Sequence, residues 1–267
     1  MKKTMVVTGA AGGIGTACAK MFKEHTLVLT DYSGALVEKT VATFREEGYT
    51  AVGQACDITK ADQVRALRDF ALAQGTFGGL VHTAGVSGSA KDVKKVYDID
   101  LVGTDIVVHV FREAATEGSA VVLMASMMGH TVAADAKRDH ALVHPREEGS
   151  FALVQRFVNG DADLMYNVAK RGVQLLCRAH APSYGARGAR ILSVSPGVIM
   201  TPMAQKAAEE HPERMRQMRE MTPMGRNGTP GDIAQVVQFL VGHGASFITG
   251  CDLLVDGGLV GQLTQGT

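Results

Sequence analysis

The chain has no tryptophan, few aromatic residues and no surplus of either charge. Lysine plus arginine equal aspartate plus glutamate at 27 each, so no overall field attracts nucleic acid or an anionic membrane. No apolar run has the length of a membrane span, and the run that follows "MKK" is too short for a signal peptide. We therefore expect a soluble cytoplasmic protein with no nucleic-acid or membrane partner.

Cysteine is also scarce. Cys18, Cys56, Cys177 and Cys251 are widely separated and form no C-x-x-C pair. In a reducing compartment, cysteines of this kind are typically small buried hydrophobic residues, not disulfide partners or metal ligands. We predict no metal site.

What the chain does contain is an alternation of short apolar runs and amphipathic segments. The runs predict strands at 4–8, 27–30, 49–54, 79–82, 120–125, 189–194 and 252–255. The segments between them predict helices at 13–24, 33–47, 60–74, 92–117, 164–184 and 230–241. Apolar strands separated by helices are typical of a parallel sheet covered on both faces. The sequence therefore predicts a single α/β domain over 1–267, with a doubly wound, Rossmann-type parallel sheet.

The stretch "TGAAGGIG" follows the first strand and opens a helix, with Gly9, Gly13 and Gly15 in the spacing G-x-x-x-G-x-G. Glycines let a pyrophosphate approach main-chain N–H groups at a helix N-terminus, although a glycine-rich turn without a ligand is the alternative. The second strand ends on Asp31, where a carboxylate can accept both hydroxyls of an adenosine ribose and repels a 2′-phosphate. These features favour NAD(H) over NADP(H). Asp31 could instead cap the next helix, a role that Ser33 could also take.

The stretch "YNVAK" places Tyr166 and Lys170 four residues apart, on one face of a predicted helix. A tyrosine phenol ordinarily ionises near pH ~10 and is a poor base at neutral pH. A nearby ammonium favours the phenolate, which can take a proton from an alcohol; the phenol can return one to a ketone. The same pair also occurs on ordinary helix surfaces.

Together these motifs resemble the classical short-chain dehydrogenase/reductase family, and most nearly its bacterial hydroxysteroid dehydrogenase/carbonyl reductase members. The matching stretches stand in the family's order and cover nearly the whole chain. They are "TGAAGGIG", "CDI" (56–58), "HTAG" (82–85), "LMASMMG" (123–129), "YNVAK" (166–170), "SPGVIMTPM" (195–203) and "ITGCDLLVDGG" (248–258).

The resemblance implies a role for each matched residue. Ser126 would hydrogen-bond the substrate oxygen, Tyr166 would be the acid/base, and Lys170 would hold the nicotinamide ribose and assist Tyr166. Asp100 stands where the family usually has an asparagine, whose main-chain carbonyl is thought to hold a water in a proton relay. The cofactor would contact Gly9, Gly13, Ile14, Gly15, Asp31, Asp57, Ile58, Ala84, Gly85, Tyr166, Lys170, Ile199 and Thr201.

The chain departs from the family in several places. "HTAG" replaces the common "NNAG", and we interpret His82 as structural. Ser126 and Tyr166 are 40 positions apart, far more than is usual in the family, so most of 127–163 is an insertion near the active site. Its segment 151–160 predicts a short helix. The insertion either builds a lid or wall for a large hydrophobic substrate or reshapes a subunit interface.

Three histidines of the insertion, His130, His140 and His144, raise the question of a metal. The last two have helical spacing, but Pro145 follows at once and no third ligand is obvious. A solvated loop is the better interpretation.

The segment 198–224 carries six methionines. Methionines of an amphipathic helix usually fill a core, but they can also form an adaptable apolar surface over a substrate. The resemblance places the family's substrate loop here, which favours the second interpretation.

The predicted function is an NAD(H)-dependent oxidoreductase that interconverts a secondary alcohol and a ketone, on a bulky hydrophobic substrate such as a hydroxysteroid. The alternatives are sugars, polyols or acyl-thioester ketones as substrates, or a non-catalytic dinucleotide-binding regulator. The resemblance implies a homodimer or homotetramer.

Overall fold

Seven parallel strands form one sheet in the order β3-β2-β1-β4-β5-β6-β7 in the computed structural model, which describes residues 2–201, 204 and 212–264. The order reverses at β1, as in a doubly wound fold. The strands are β1 (Thr4–Thr8), β2 (Thr26–Thr30), β3 (Ala51–Gly53), β4 (Phe77–His82), β5 (Ala120–Met124), β6 (Arg190–Pro196) and β7 (Asp252–Val255). The predicted α/β fold class is confirmed, with β1 and β7 at their predicted bounds.

Helices cover both faces of the sheet. They are α1 (Gly13–Lys20), α2 (Gly34–Glu46), α3 (Ala61–Ala73), α4 (Val93–Tyr97), α5 (Thr104–Ala114), α6 (Ala136–Val143), α7 (Ser150–Val158), α8 (Ala162–Gly185), α9 (Pro212–Met221), α10 (Pro230–Val241) and α11 (Leu259–Thr264). None of those described is long and apolar enough to cross a membrane.

Successive side chains of a strand point to opposite sides of the sheet, so the hydrophobic core consists of two layers. Val6 of β1 packs with the apolar sides of α3, α5 and α8, whereas its neighbours Met5 and Val7 pack with α1, α2 and α10. The central strands β1, β2, β4 and β5 are therefore apolar on both sides, which explains why they appear in the sequence as apolar runs.

The edge strand β3 is shorter than predicted. Only Ala51–Gly53 forms a strand, paired with Leu27–Leu29 of β2, and the polar Thr50 and Gln54 on either side lie outside the ladder.

The single helix predicted over 92–117 is wrong, since the segment is divided. Between α4 and α5 lies a π-helical turn, Asp98–Gly103, with Asp100 inside it. Its main chain is held by Thr104, whose hydroxyl donates to the Asp100 carbonyl at 2.7 Å. π-helical turns often occur at functional sites.

The insertion folds into a 3₁₀ turn, Met127–Thr131, followed by α6 and α7. The helix predicted in 151–160 corresponds to α7, whereas α6 was not predicted. Apolar residues of the insertion, among them Leu142, Val154 and Val158, form a cluster with α4 and α8. The insertion therefore packs against the outer side of these two helices.

The methionine-rich segment is described in part. Ile199 bridges to Gly228, and α9 begins at 212, whereas positions 202–203 and 205–211 lie outside the described residues. The proposed substrate loop over 198–224 stays a prediction.

Candidate active site

A groove crosses the carboxyl ends of the strands, where open α/β sheets bind ligands. It consists of two adjoining depressions of about 440 Å³ and 590 Å³. We call them the Asp31 end and the Tyr166 end, after a residue that lines each. Both are lined by Gly9, Gly12, Thr83, Gly85 and Val86.

The glycine loop fits tightly against the turn after β4. Gly9 has φ +64°, and a Cβ there would lie 2.7 Å from the main-chain nitrogen of Ala84. A Cβ on Gly15 would lie 2.2 Å from the carbonyl oxygen of Gly9. Thr83 holds the two loops together by donating its hydroxyl to the Thr8 carbonyl at 2.7 Å. Side chains at these glycines would force the two loops of this cradle apart.

The N-terminus of α1 faces this cradle. Gly13, Ile14 and Gly15 line the groove, and the N-cap Gly12 has no side chain to occupy the first N–H groups of the helix. A helix N-terminus left open in this way is suited to an anion such as a pyrophosphate.

The Asp31 end contains the predicted Asp31, Asp57, Ile58 and Ala84. Ser33 caps α2 by accepting from the Leu36 N–H at 3.4 Å, so capping does not require the Asp31 carboxylate. The Asp57 carboxylate instead holds its own turn, accepting from the Thr59 N–H at 2.9 Å.

Among the lining residues of this end that the sequence did not predict are Tyr32 and Lys95. Tyr32 is 78% exposed, and Lys95 is the one basic side chain among the described residues that line this depression. Tyr32 could have been inferred from its place directly after Asp31. Lys95 lies in α4 and had no comparable signal.

The Tyr166 end brings together Ser126, Tyr166 and Lys170, with Ile199 and Thr201 on the same walls. Ser126 directly follows Ala125 at the end of β5, and its oxygen accepts from the Met128 N–H at 3.2 Å. Tyr166 and Lys170 lie one turn apart on α8, with the Lys170 Nζ 5.5 Å from the centre of the Tyr166 ring. The side chains predicted to act together therefore share one end of the groove.

Gly129 and Gln174, both absent from the sequence prediction, fix Ser126 relative to α8. A Cβ on Gly129 would lie 2.8 Å from the Gln174 Nε2 and 2.9 Å from the Lys170 carbonyl carbon. Gln174 donates to the Ser195 hydroxyl at 3.0 Å and to the Ser126 carbonyl at 3.4 Å. The position of Gln174, one turn beyond Lys170 on the same face, is the signal that could have revealed it.

His82 lies buried beneath the groove between two threonines. Its Nδ1 is 2.7 Å from the Thr8 hydroxyl, and its Nε2 is 3.1 Å from the Thr104 hydroxyl. Because the Thr104 hydroxyl donates to the Asp100 carbonyl, we assign the His82 proton to Nε2. Burial, aided by the charge of Lys170, lowers the pKa of His82 to about 3, so the ring is neutral. This position agrees with the structural role expected for His82.

Asp100 forms a buried ion pair with Lys170. Its side chain is 0% exposed, Oδ1 accepts from the Val86 N–H at 2.7 Å, and Oδ2 lies 3.5 Å from the Lys170 Nζ. Burial raises the pKa of Asp100, against the opposing effects of Lys170 and the Val86 N–H. Burial alone would lower the pKa of Lys170, but the nearby Asp100 and Tyr166 raise it above its usual value.

A separate cluster joins α5, α8 and the insertion. Potential ligand atoms of Asp105, His109 and His180 all lie within 4.8 Å of one another. The Arg146 guanidinium already pairs with the Asp105 carboxylate, and hydrogen bonds from His109 and Arg146 outweigh burial and lower the pKa of Asp105. We therefore interpret the cluster as an ion-pair network that anchors the insertion.

The histidines of the insertion do not form a metal group with other described residues. His140 contacts His144 at 4.7 Å between ring centres, and His130 pairs with Asp252 at 2.7 Å. The four cysteines carry free thiols. All but Cys251, which is half-buried, are buried as expected.

Comparison with known proteins identifies the family. The family model described as short chain dehydrogenase matches residues 3–136, and the model described as Enoyl-(Acyl carrier protein) reductase matches residues 150–260. The chain is 31% identical over 272 residues to the short-chain dehydrogenase/reductase bsc3 of Alternaria brassicicola, covering 100% of this chain and 98% of that protein. The protein belongs to the short-chain dehydrogenase/reductase family and is an oxidoreductase.

Two further similarities concern proteins of known activity. The cis-4-hydroxycyclohexanecarboxylate dehydrogenase of Sinomonas cyclohexanicum is 30% identical over 271 residues, with 96% of each chain covered. A solved 7α-hydroxysteroid dehydrogenase, in complex with NADH and 7-oxo glycochenodeoxycholic acid, superposes with a TM-score of 0.76 at 24% identity. That match covers 96% of this chain and 93% of the solved one, and it supports the fold.

Proposed function

We propose that the protein is an NAD(H)-dependent dehydrogenase/reductase that interconverts a secondary alcohol and a ketone. The observation that carries this proposal is the placing of Ser126, Tyr166 and Lys170 at one end of a groove whose other end presents Asp31. A bound nicotinamide dinucleotide would supply the hydride acceptor for oxidation or the hydride donor for reduction.

The residues present fit such a cofactor. At Gly9 and Gly15 a Cβ would collide with neighbouring main chain, so only glycine lets the loop keep this shape, in which its main-chain N–H groups could contact a pyrophosphate. Asp31 is not needed as a helix cap, so its carboxylate can accept the hydroxyls of an adenosine ribose and disfavours a 2′-phosphate. The residues that would hold the cofactor are Gly9, Gly13, Ile14, Gly15, Asp31, Asp57, Ile58, Ala84, Gly85, Tyr166, Lys170, Ile199 and Thr201.

The chain's own residues would manage the proton. The Ser126 oxygen already accepts from the Met128 N–H, so its O–H can donate to the substrate oxygen. Tyr166 would take the hydroxyl proton of the alcohol, or return it to the ketone. The buried ammonium of Lys170 lies one turn away on α8 and stabilises the phenolate form.

For the substrate, we propose a bulky alicyclic secondary alcohol such as a hydroxysteroid. Val86, Met124 and Pro196 line the Tyr166 end, which is apolar over much of its wall. Met127 and Met128, directly after Ser126, pack with Met218 and Leu259 in an adjustable apolar cluster. The Sinomonas relative acts on a cyclohexane ring by its name, which agrees with this class.

Beyond Met127 and Met128 at its start, the insertion has no part in the substrate proposal. Among the described residues that line the two depressions, none belongs to 127–163. The lid hypothesis therefore lacks a contact to support it, whereas a role in subunit contacts stays a prediction. We also propose that the protein is a homo-oligomer and that it is cytoplasmic.

The test is turnover by the purified protein with NAD⁺ or NADP⁺, followed by the absorbance of the reduced cofactor. We expect oxidation of hydroxysteroids or substituted cyclohexanols with NAD⁺ in preference to glucose and linear polyols. A protein that binds NAD⁺ but turns over no alcohol or ketone in either direction would instead be a dinucleotide-binding regulator.

A further inference from the structure

We propose that Asp100 is a positioning residue that balances the charge of Lys170 and thereby sets the pH range in which Tyr166 accepts a proton. The inference rests on the proposed function, because it concerns the same proton transfer. It assigns to the carboxylate a task that an amide at this position cannot perform.

The first support is the rigid placement of the carboxylate. The Val86 N–H holds Oδ1 at 2.7 Å, and the π-helical turn fixes the main chain on which Asp100 lies. A Cβ added to Gly85 would lie 3.1 Å from the Asp100 Oδ1 and 3.3 Å from the Lys170 Nζ. The ion pair therefore sits directly under the main chain of Gly85, at the floor of the groove.

The second support is the isolation of the pair. Among the described residues, Lys170 is the one cation close to Asp100, and Asp100 is the one carboxylate close to Lys170. Tyr166 is the other titratable group that interacts with Lys170 on α8, and the neutral His82 lies beneath it from β4.

Other charged groups on the same stretch of chain are engaged elsewhere. Asp98, in the same π-helical turn, pairs with Lys94 at the surface. Asp105, in the first turn of α5, pairs with Arg146 and His109 on the side that faces the insertion. Neither Asp98 nor Asp105 pairs with Lys170, so the local charge balance depends on Asp100.

The consequence follows from the sign of each charge. An unopposed Lys170 would stabilise the Tyr166 phenolate with its full charge, whereas the carboxylate at 3.5 Å offsets part of that field. The phenolate therefore forms at higher pH with aspartate at position 100 than it would with an amide. Both the parent and the asparagine variant keep the hydrogen bond from the Val86 N–H, since the amide oxygen of asparagine can accept it as well.

The experiment compares the parent with Asp100→Asn. We expect the acidic limb of the pH profile of kcat/KM for alcohol oxidation to move to lower pH by about one unit. In the cofactor-free protein, the ultraviolet absorbance of the phenolate, taken as the difference from Tyr166→Phe in each background, is expected to shift in the same direction.

The matched control is Asp105→Asn, the same isosteric change at a second buried carboxylate that does not touch Lys170. It is expected to leave both pH midpoints where the parent has them. Unchanged midpoints in Asp100→Asn, or an equal shift in Asp105→Asn, would overturn the proposal. Asp100→Ser removes the charge with a smaller side chain and must give the same direction of shift if the asparagine variant fails to fold.

The two proposals fail in different ways. If no alcohol is oxidised by the parent, the proposed function fails, but the phenolate titration of the cofactor-free protein still measures the effect of Asp100. If alcohols are oxidised and neither the rate profile nor the phenolate titration moves in Asp100→Asn, only the role of Asp100 is refuted.

Discussion

The two ends of the groove are built in opposite ways. The Asp31 end is formed by residues at strand ends and turns, with Asp31 beside a Tyr32 that is 78% exposed. The Tyr166 end lies over buried polar groups: Lys170 and Asp100 pair with each other, and His82 lies between the hydroxyls of Thr8 and Thr104. Substitutions at the Asp31 end should alter which cofactor is bound, whereas substitutions at the Tyr166 end should alter both the rate of the reaction and the stability of the fold.

The largest expected effect is at the Tyr166 end. Tyr166→Phe removes the hydroxyl that we propose exchanges a proton with the substrate, and we expect kcat to fall by about 10²- to 10⁴-fold with cofactor affinity nearly retained. The measurements are steady-state kinetics and a cofactor titration. Tyr32→Phe, at the other end, should keep kcat within about threefold of the parent. A Tyr166→Phe protein with the kcat of the parent would contradict both the proposed difference between the two ends of the groove and the proposed function.

The glycine cradle shared by both ends comes next. Gly15→Ala places a Cβ against the Gly9 carbonyl oxygen, which would lie 2.2 Å away, so the loop must move. We expect affinity for NAD(H) to drop by roughly 100-fold, or ~2.7 kcal/mol, in a calorimetric or fluorescence titration. Gly34→Ala is the control, because a Cβ at that position in α2 meets nothing within 4 Å. Equal affinities in the two variants would show that the cradle does not hold the cofactor.

The buried histidine gives a prediction for stability against pH. The pKa of His82 is lowered to about 3 in the folded protein, so between that value and the ordinary histidine value only the unfolded chain takes up the proton. Folded stability is therefore lost as the pH falls, by about 2 kcal/mol from this group between pH ~7 and pH ~5.

Denaturant unfolding at both pH values is the measurement. His82→Asn should lose stability at neutral pH and should show a correspondingly smaller decline on acidification. His243→Asn, an exposed histidine on the surface, should keep the parental decline. If His82→Asn declines as steeply as the parent, the ring is not held neutral beneath the groove.

The smallest expected effect concerns ligand choice at the Asp31 end. Asp31→Asn removes the charge that repels a 2′-phosphate, and the ratio of kcat/KM for NADP⁺ over NAD⁺ should rise by about tenfold with stability unchanged. Asp62→Asn, an exposed change in α3 outside the groove, should leave the ratio at its parental value. A preference for NADP⁺ in the parent protein would instead point to Lys95, the basic side chain that lines this end.

The sequence predicted the local parts of the site well. The glycine loop, Asp31 at the end of β2 and Ser126 just after β5 each follow from an apolar run and the residues that end it. Tyr166 and Lys170 share a face because helical spacing alone requires it. Ser33 as the cap of α2 was also accessible, since a serine before a helical segment has few other roles.

Features that depend on distant contacts were not accessible in this way. Helix α6 has few apolar residues, and it is held by Arg171 of α8, which pairs with its Asp139 at 2.9 Å. The sequence predicts continuous helix across the π-helical turn, because the hydrophobic pattern of 98–103 resembles that of the helices on either side. Helical spacing places Gln174 on the face of Lys170, but its close approach to Gly129 and its hydrogen bonds to Ser126 and Ser195 join distant parts of the chain.

By itself, then, the sequence determined the order of the seven strands, the glycine-rich cradle and the spacing of Tyr166 and Lys170, because periodicity and turn chemistry act over a few residues. Only the tertiary structure decided that Asp100 faces Lys170, that Arg146 engages Asp105 and that the insertion packs on α4 and α8. These arrangements join residues far apart in the chain. Their energies come from burial and charge in the folded state, which no local pattern encodes.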